Sequence, residues 1–212
     1  MNSLTEKRLV PGPAGAIECA IDQPASGHAD LPMPPTRGLA LVCHPNPTQG
    51  GTMDNKVVQT LARAFVQLGY RVARFNFRGI GKSEGGWDEG RGEIDDALAV
   101  LAALREPGEP LVLAGFSFGG YVASQAALRL PEDQRAERLA LVGPATSRFD
   151  TAPVPSDTLV IHGEVDDVVP LSSVLDWARP QSLPVVVVPG VGHFFHGQLP
   201  LLRDLVVRNW RA

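Results

Sequence analysis

Cysteine is scarce: Cys19 and Cys43 are the only two in 212 residues. Two thiols cannot build a disulfide framework, and Cys43 closes the apolar run Gly38–Cys43, where a buried, reduced thiol at a strand end is expected. Clustered positive charge is missing too. The formal net charge is −4, and Lys and Arg are scattered singly or in pairs. A nucleic-acid partner would call for a basic stripe and an anionic membrane for a polybasic cluster, so neither partner is expected. The N-terminal Met1–Arg8 carries charges early and lacks the apolar core of a secretion signal. The segment Pro110–Leu128 is uncharged over about one membrane-spanning length. It contains Gly115, Ser117, Gly119, Gly120, Ser124 and Gln125, however, and divides into strand, turn and helix. A cytoplasmic chain is therefore expected, monomeric or a small homo-oligomer. No repeat or low-complexity tract is visible.

Composition is that of an ordinary globular protein, with 44% hydrophobic and 20% charged residues and a mean hydropathy near zero. The length suits one domain over residues 1–212. Arg8–Ile21 reads as two short strands around a Pro/Gly turn, followed by a Pro-, Gly- and Ser-rich connection over Gln23–Thr36 in which His28 is solvated. Apolar runs of strand length then recur at Gly38–Cys43, Arg71–Phe77, Pro110–Gly115, Arg138–Val142, Thr158–His162 and Pro184–Val188. Helical periodicity falls between and after them, at Asn55–Leu68, Glu93–Glu106, Ser117–Leu130, Leu171–Ala178 and Leu199–Trp210. Strands apolar throughout and alternating with helices predict a mostly parallel, doubly wound α/β sheet with helices on both faces and an antiparallel start. Ligands of such sheets bind beyond the carboxyl ends of the strands.

One of those ends carries Gly115-Phe116-Ser117-Phe118-Gly119, set directly between a strand and a helix. A serine on so sharp a turn sits in strained backbone, and the residues two before and two after it must lack bulk. Gly115 and Gly119 meet that requirement, and Gly120 and Ala123 keep the helix slim against the sheet. The turn also aims a helix N-terminus at the serine, where free N–H groups favour an oxyanion. Ser117 is the candidate nucleophile, and the N–H of Phe118, the next residue, is the first candidate oxyanion donor.

A serine nucleophile needs a base, and the base an orienting carboxylate, in the chain order Ser, acid, His on this kind of sheet. Glu164, Asp166 and Asp167 lie beyond the strand Thr158–His162; His193 and His196 lie beyond Pro184–Val188. Order and strand context both fit.

With these motifs the chain, from Gly38 onward, resembles the α/β-hydrolase superfamily, in particular small cap-less members similar to dienelactone hydrolases and bacterial carboxylesterases. The superfamily's acid loop, H-G-x-x-D-x-x-V-P, falls on His162–Pro170 and selects Asp166, with Asp167 as the alternative. Its G-x-G-H loop falls on Gly190–His193 and selects His193, leaving His196 at the rim or surface and His162 in a structural place. The resemblance puts the second oxyanion donor after the strand Gly38–Cys43, where the usual His-Gly-x is replaced by His44-Pro45-Asn46-Pro47. Proline has no N–H, so Asn46 is the positional match, in a loop stiffened on both sides.

Gly81-Lys82-Ser83 imitates a phosphate-binding loop, but the place of the first glycine of that motif holds Asn76 and no helix follows directly. The resemblance makes Arg78–Ser83 structural instead, with Arg78 bonded to loop carbonyls or an acidic neighbour. Met53, Trp87 and Phe194 are expected in the substrate pocket, with Phe116, Phe118 and Phe195 either there or in the core. Arg148–Ser156 is too short for a cap domain, so an open site is expected. The implied activity is hydrolysis of small carboxylic esters or thioesters through an acyl-enzyme, with no metal or organic cofactor. Peptidase, acyltransferase and perhydrolase chemistry use the same triad, and a binding protein can keep the same fold without catalysis.

Overall fold

A computed structural model of the protein describes residues 5–24 and 36–210. The connection expected over Gln23–Thr36, with His28, lies outside the described residues except at its ends. The chain opens with a hairpin, β1 (Glu6–Gly12) and β2 (Gly15–Asp22), as its Pro/Gly turn predicts. It continues β3 (Leu39–Cys43), α1 (Lys56–Gln67), β4 (Arg71–Phe75), α2 (Arg91–Leu104), β5 (Leu111–Phe116), α3 (Phe118–Arg129) and β6 (Arg138–Val142). Then come β7 (Leu159–Gly163), α4 (Leu171–Ala178), β8 (Val185–Val188) and α5 (Leu199–Trp210). The eight strands form one sheet in the order β1-β2-β4-β3-β5-β6-β7-β8. β2 pairs antiparallel with both β1 and β4, and every pair from β4 onward is parallel.

Alternation along each strand divides the core. Ala40, Val42, Val112, Ala114 and Ile161 face α1 and α5, where Leu61, Phe65, Val206 and Trp210 pack on them. Leu39, Leu41, Leu111, Leu113, Leu139 and Leu141 face the other way, onto Ile94, Leu101, Val122 and Ala126 of α2 and α3. Val160 of β7 packs with Val174 and Ala178 of α4.

Local chemistry sets the ends of the helices. Asn55 caps α1 through Val57 N–H at 2.9 Å, and Gly69, at φ 92°, ends it. α2 starts two residues before the expected Glu93, because Glu93 is its third residue and reaches back to the N–H of Gly90 at 2.8 Å. β4 stops at Phe75, short of the expected Phe77. Asn76 keeps one main-chain bond to Glu18 O (2.9 Å), and its side chain accepts from Met53 N–H (2.9 Å) and donates to Glu18 (2.9 Å) where the strand ends. Burial pushes both thiols up, Cys19 to about 12, as buried and reduced thiols require.

Candidate active site

β5 and α3 meet at Ser117, whose backbone has φ 56° and ψ −119°. Few side chains adopt such a geometry, and it lifts the hydroxyl clear of the sheet edge. Its flanking aromatics straddle the sheet: Phe116 belongs to the α1/α5 core and Phe118 to the α2/α3 core. Both are fully buried. A side chain at Gly119 would strike the carbonyls of Cys43 and His44, so this glycine lets α3 close onto the end of β3.

The acid loop after β7 and the histidine loop after β8 are laced together. Glu164 N–H bonds Val188 O at 3.0 Å, Val165 N–H bonds Val191 O at 3.1 Å, and Gly190 N–H bonds the Glu164 carboxylate at 2.9 Å. This lacing brings the buried Asp166 Oδ2 to 2.6 Å from Nδ1 of the equally buried His193. The other oxygen of Asp166 accepts from Val168 N–H (2.9 Å) and Val169 N–H (2.7 Å). Burial by itself would raise the Asp166 pKa; the hydrogen bonds from His193 and the two main-chain groups outweigh it and hold the carboxyl below its usual range. Asp167 is exposed and Glu164 is occupied by Gly190, so of the three acids only Asp166 meets the histidine.

Ser117 is linked to this pair through the end of β6. Its N–H bonds the carbonyl of Val142 (2.9 Å), and the next residue, Gly143, faces His193 and Asp166. The Phe116 ring packs on the His193 ring with centroids 4.8 Å apart. The Ser117 hydroxyl has no hydrogen bond among the described residues, and serine–histidine contacts of this kind commonly tighten only around substrate.

The loop after β3 is held from within. His44 is fully buried; its Nδ1 donates to Pro45 O at 2.6 Å, and its Nε2 accepts from Phe77 N–H at 3.1 Å. Accepting from Phe77 N–H needs the neutral ring, and burial lowers its pKa to about 4 against the opposing pull of the Pro45 carbonyl. The Asn46 side chain accepts from Thr48 N–H at 2.9 Å and Asn46 O from Gln49 and Gly51 N–H, so the residue is fixed as a turn. The loop's far end is clamped where Arg74 donates to Met53 O at 2.9 Å.

The residues expected to wall a pocket separate. Phe194 is 44% exposed and lines a depression of about 530 Å³ beside His193, together with Val168, His196 and Gln198. Trp87 does not line it; it stands on the opposite side of the serine, over Phe118 at 5.1 Å. Met53 is buried, with its main chain held by Asn76 and Arg74, so it supports the loop instead of lining that depression. The acidic neighbour of Arg78 is Asp96 on α2, bonded side-on by Nη2 at 2.7 Å and Nε at 3.0 Å. Sequence reasoning did not foresee that His162 touches the acid or that His44 locks its own loop. The only signals were their places, four residues before Asp166 and directly after β3.

No helix is inserted between β6 and β7, and no helix among the described residues is long and apolar enough to cross a membrane. Fold and elbow together define an α/β serine hydrolase without a lid. Residues 35–156 match the family model described as serine aminopeptidase, S33, and the chain belongs to that family. It is similar to a lidless α/β serine hydrolase of Xanthomonas campestris, at 38% identity and TM-score 0.87, over 100% of this chain and 95% of the other. It is similar also to an α/β serine hydrolase homologue of Coxiella burnetii, at 39% identity and TM-score 0.80, over 96% of each chain. An uncharacterized protein of Rickettsia prowazekii is 34% identical over 87% of this chain and 79% of its own length.

Proposed function

We propose that the protein hydrolyses carboxylic esters or thioesters of small acyl substrates through an acyl-enzyme on Ser117. The observation that carries this reading is the 2.6 Å bond between buried Asp166 and His193 at a serine held at positive φ. Asp166 fixes the imidazole with its proton on Nδ1, which leaves Nε2 as the base. Ser117 Oγ attacks the carbonyl carbon and its proton passes to His193. The negative charge on the carbonyl oxygen is met by the N–H groups of Phe118 and Asn46. Collapse of that intermediate expels the alcohol or thiol, which takes the proton from His193. Water, deprotonated by the same nitrogen, then attacks the acyl-enzyme; collapse releases the acid and returns the proton to Ser117. With no lid and an aromatic rim at Phe194 and Trp87, the site suits short or flexible acyl groups.

The test is a panel of ester, thioester and amide substrates of graded acyl length, run on the wild type and Ser117→Ala, with fluorophosphonate labelling beside it. Ser117→Ala should lower kcat by several orders of magnitude and abolish labelling. Wild-type esterase activity in Ser117→Ala would overturn the mechanism, and failure of the wild type to label at neutral pH would favour a binding protein. The aminopeptidase description of the family gives the amide arm its purpose: cleavage of amides in preference to esters would move the assignment to a peptidase.

A further inference from the structure

We propose that His162 is a positioning residue for Asp166, holding the acid's carboxylate and loop in place against His193; this rests on the reading of Ser117, His193 and Asp166 as a triad. His162 sits near the end of β7, four residues before Asp166, and is fully buried. Its Nε2 is 3.0 Å from Val169 O and 3.5 Å from Asp166 Oδ2. A carbonyl only accepts, so the proton is on Nε2 and is given to Val169 O, while the carboxylate oxygen which His193 also uses lies 3.5 Å from the same nitrogen. The result is a closed ring of contacts. Asp166 holds Val169 by its N–H at 2.7 Å, and His162 holds the same residue by its carbonyl. Withdrawal of the acid loop must break one of these bonds, and rotation of the carboxylate must break the bond to Val169 or to His193.

The imidazole is not accounted for by packing. Its Nδ1 is buried without a hydrogen-bond partner, a defect that an apolar ring of similar size would avoid. The donor at Nε2 is what such a ring lacks. The ionisable groups that face His162 are Asp166 and His193; burial keeps the ring neutral despite the attraction of Asp166 and Val169 O, and the nearby His193 acts in the same direction as burial. An imidazolium here would point a second N–H at nothing.

Two variants separate the donor from the shape. His162→Phe keeps an apolar ring of similar size, and His162→Gln restores an N–H near the Nε2 position. His162→Phe should lower kcat about tenfold to a hundredfold with KM within about twofold, the scale expected when a reacting group is displaced by about 1 Å. The low-field proton resonance of the His193–Asp166 hydrogen bond should shift or vanish with it. His162→Gln should recover kcat to within a few-fold and restore the resonance. Wild-type kcat and an unchanged resonance in His162→Phe would overturn the proposal, as would equal losses in the two variants. Should His162→Phe not fold, nitrogen-15 spectroscopy of the wild-type imidazole decides: protonated Nε2 with bare Nδ1 across the active pH range is expected, and an Nδ1–H tautomer or imidazolium overturns it. The spectroscopy does not depend on turnover, so an active Ser117→Ala enzyme would defeat the triad and leave the assignment of the His162 contact to be judged separately.

Discussion

The sharpest consequence of this packing concerns Gly119. A methyl group there would stand 2.5 Å from the Cys43 carbonyl carbon and 2.6 Å from the His44 oxygen, about 0.8 Å short of ordinary contact with the latter. Both neighbours are main chain, one in a central strand and the other at the root of the loop that carries Asn46, so neither swings aside as a side-chain tip would. Gly119→Ala gains about 1 kcal/mol of helix propensity. Overpacking typically costs about 1–3 kcal/mol, and the locked backbone puts this site at or beyond the upper end. The net loss should be about 2 kcal/mol, or roughly 4–8 °C in Tm for a chain of this size. Because α3 and the β3 loop must part, the N–H groups of Phe118 and Asn46 separate as well, and kcat should fall about a hundredfold. Gly120→Ala is the milder control: its methyl would stand 3.1 Å from Cβ and 3.2 Å from Cα of Pro144 and 3.8 Å from Gly115 O, and should change stability by less than about 1 kcal/mol and kcat by a few-fold at most. Thermal melts and initial rates on the best ester of the panel read both quantities. Wild-type Tm and kcat in Gly119→Ala would refute the reasoning.

The paired acids give a second contrast. Asp166→Asn should lower kcat about 10³- to 10⁴-fold, and Asp167→Asn should leave it within about twofold; steady-state kinetics that reverse the order would refute the assignment. Arg78→Ala removes the one ion pair that Asp96, buried on α2, makes among the described residues, and should cost about 3 kcal/mol in urea denaturation; a loss below about 1 kcal/mol would show that the pair stabilises little. Stability should also depend on pH in a defined direction. His44 is depressed from 6.5 to about 4, so between those values the unfolded chain binds more protons and stability falls as pH falls. His162 acts in the same direction, and Asp166, depressed below 3.8, withdraws its own contribution only at still lower pH. Urea midpoints from pH 6.5 to 4 should fall in the wild type and less steeply in His44→Gln; equal slopes would exclude His44 as the source.

The sheet was legible because its strands are apolar on both faces and its helices are not. Val42 and Cys43 both need cover, one from each side, and only a doubly wound layer supplies it. Element ends were less legible wherever a long-range polar contact decides them. The strand β4 ends where the Asn76 side chain joins Met53 and Glu18, partners 23 and 58 residues away. The order β2-β4-β3 likewise depends on pairings that local periodicity does not encode. At the site, Ser117 was visible because its neighbours must be glycine. The acid-loop resemblance selected Asp166 with Asp167 as the alternative, and the separation of Trp87 from Phe194 needed to know that Phe118 and Phe116 lie on opposite faces of the sheet. His162 was hidden for a different reason: it bonds the Val169 carbonyl and lies 3.5 Å from the Asp166 carboxylate, and those positions exist only once the loop is closed.

The backbone at residue 117 has a consequence for how such a chain drifts. At φ 56° and ψ −119° the residue that folding alone would prefer is glycine, and serine forgoes stability of order 1–3 kcal/mol to stand there. Against a net stability of about 5–15 kcal/mol that is a steady pressure toward replacement. A lineage that no longer used the hydroxyl would gain robustness by losing it in a single substitution. The presence of serine at this one position therefore testifies to use more strongly than any better-fitting residue of the core.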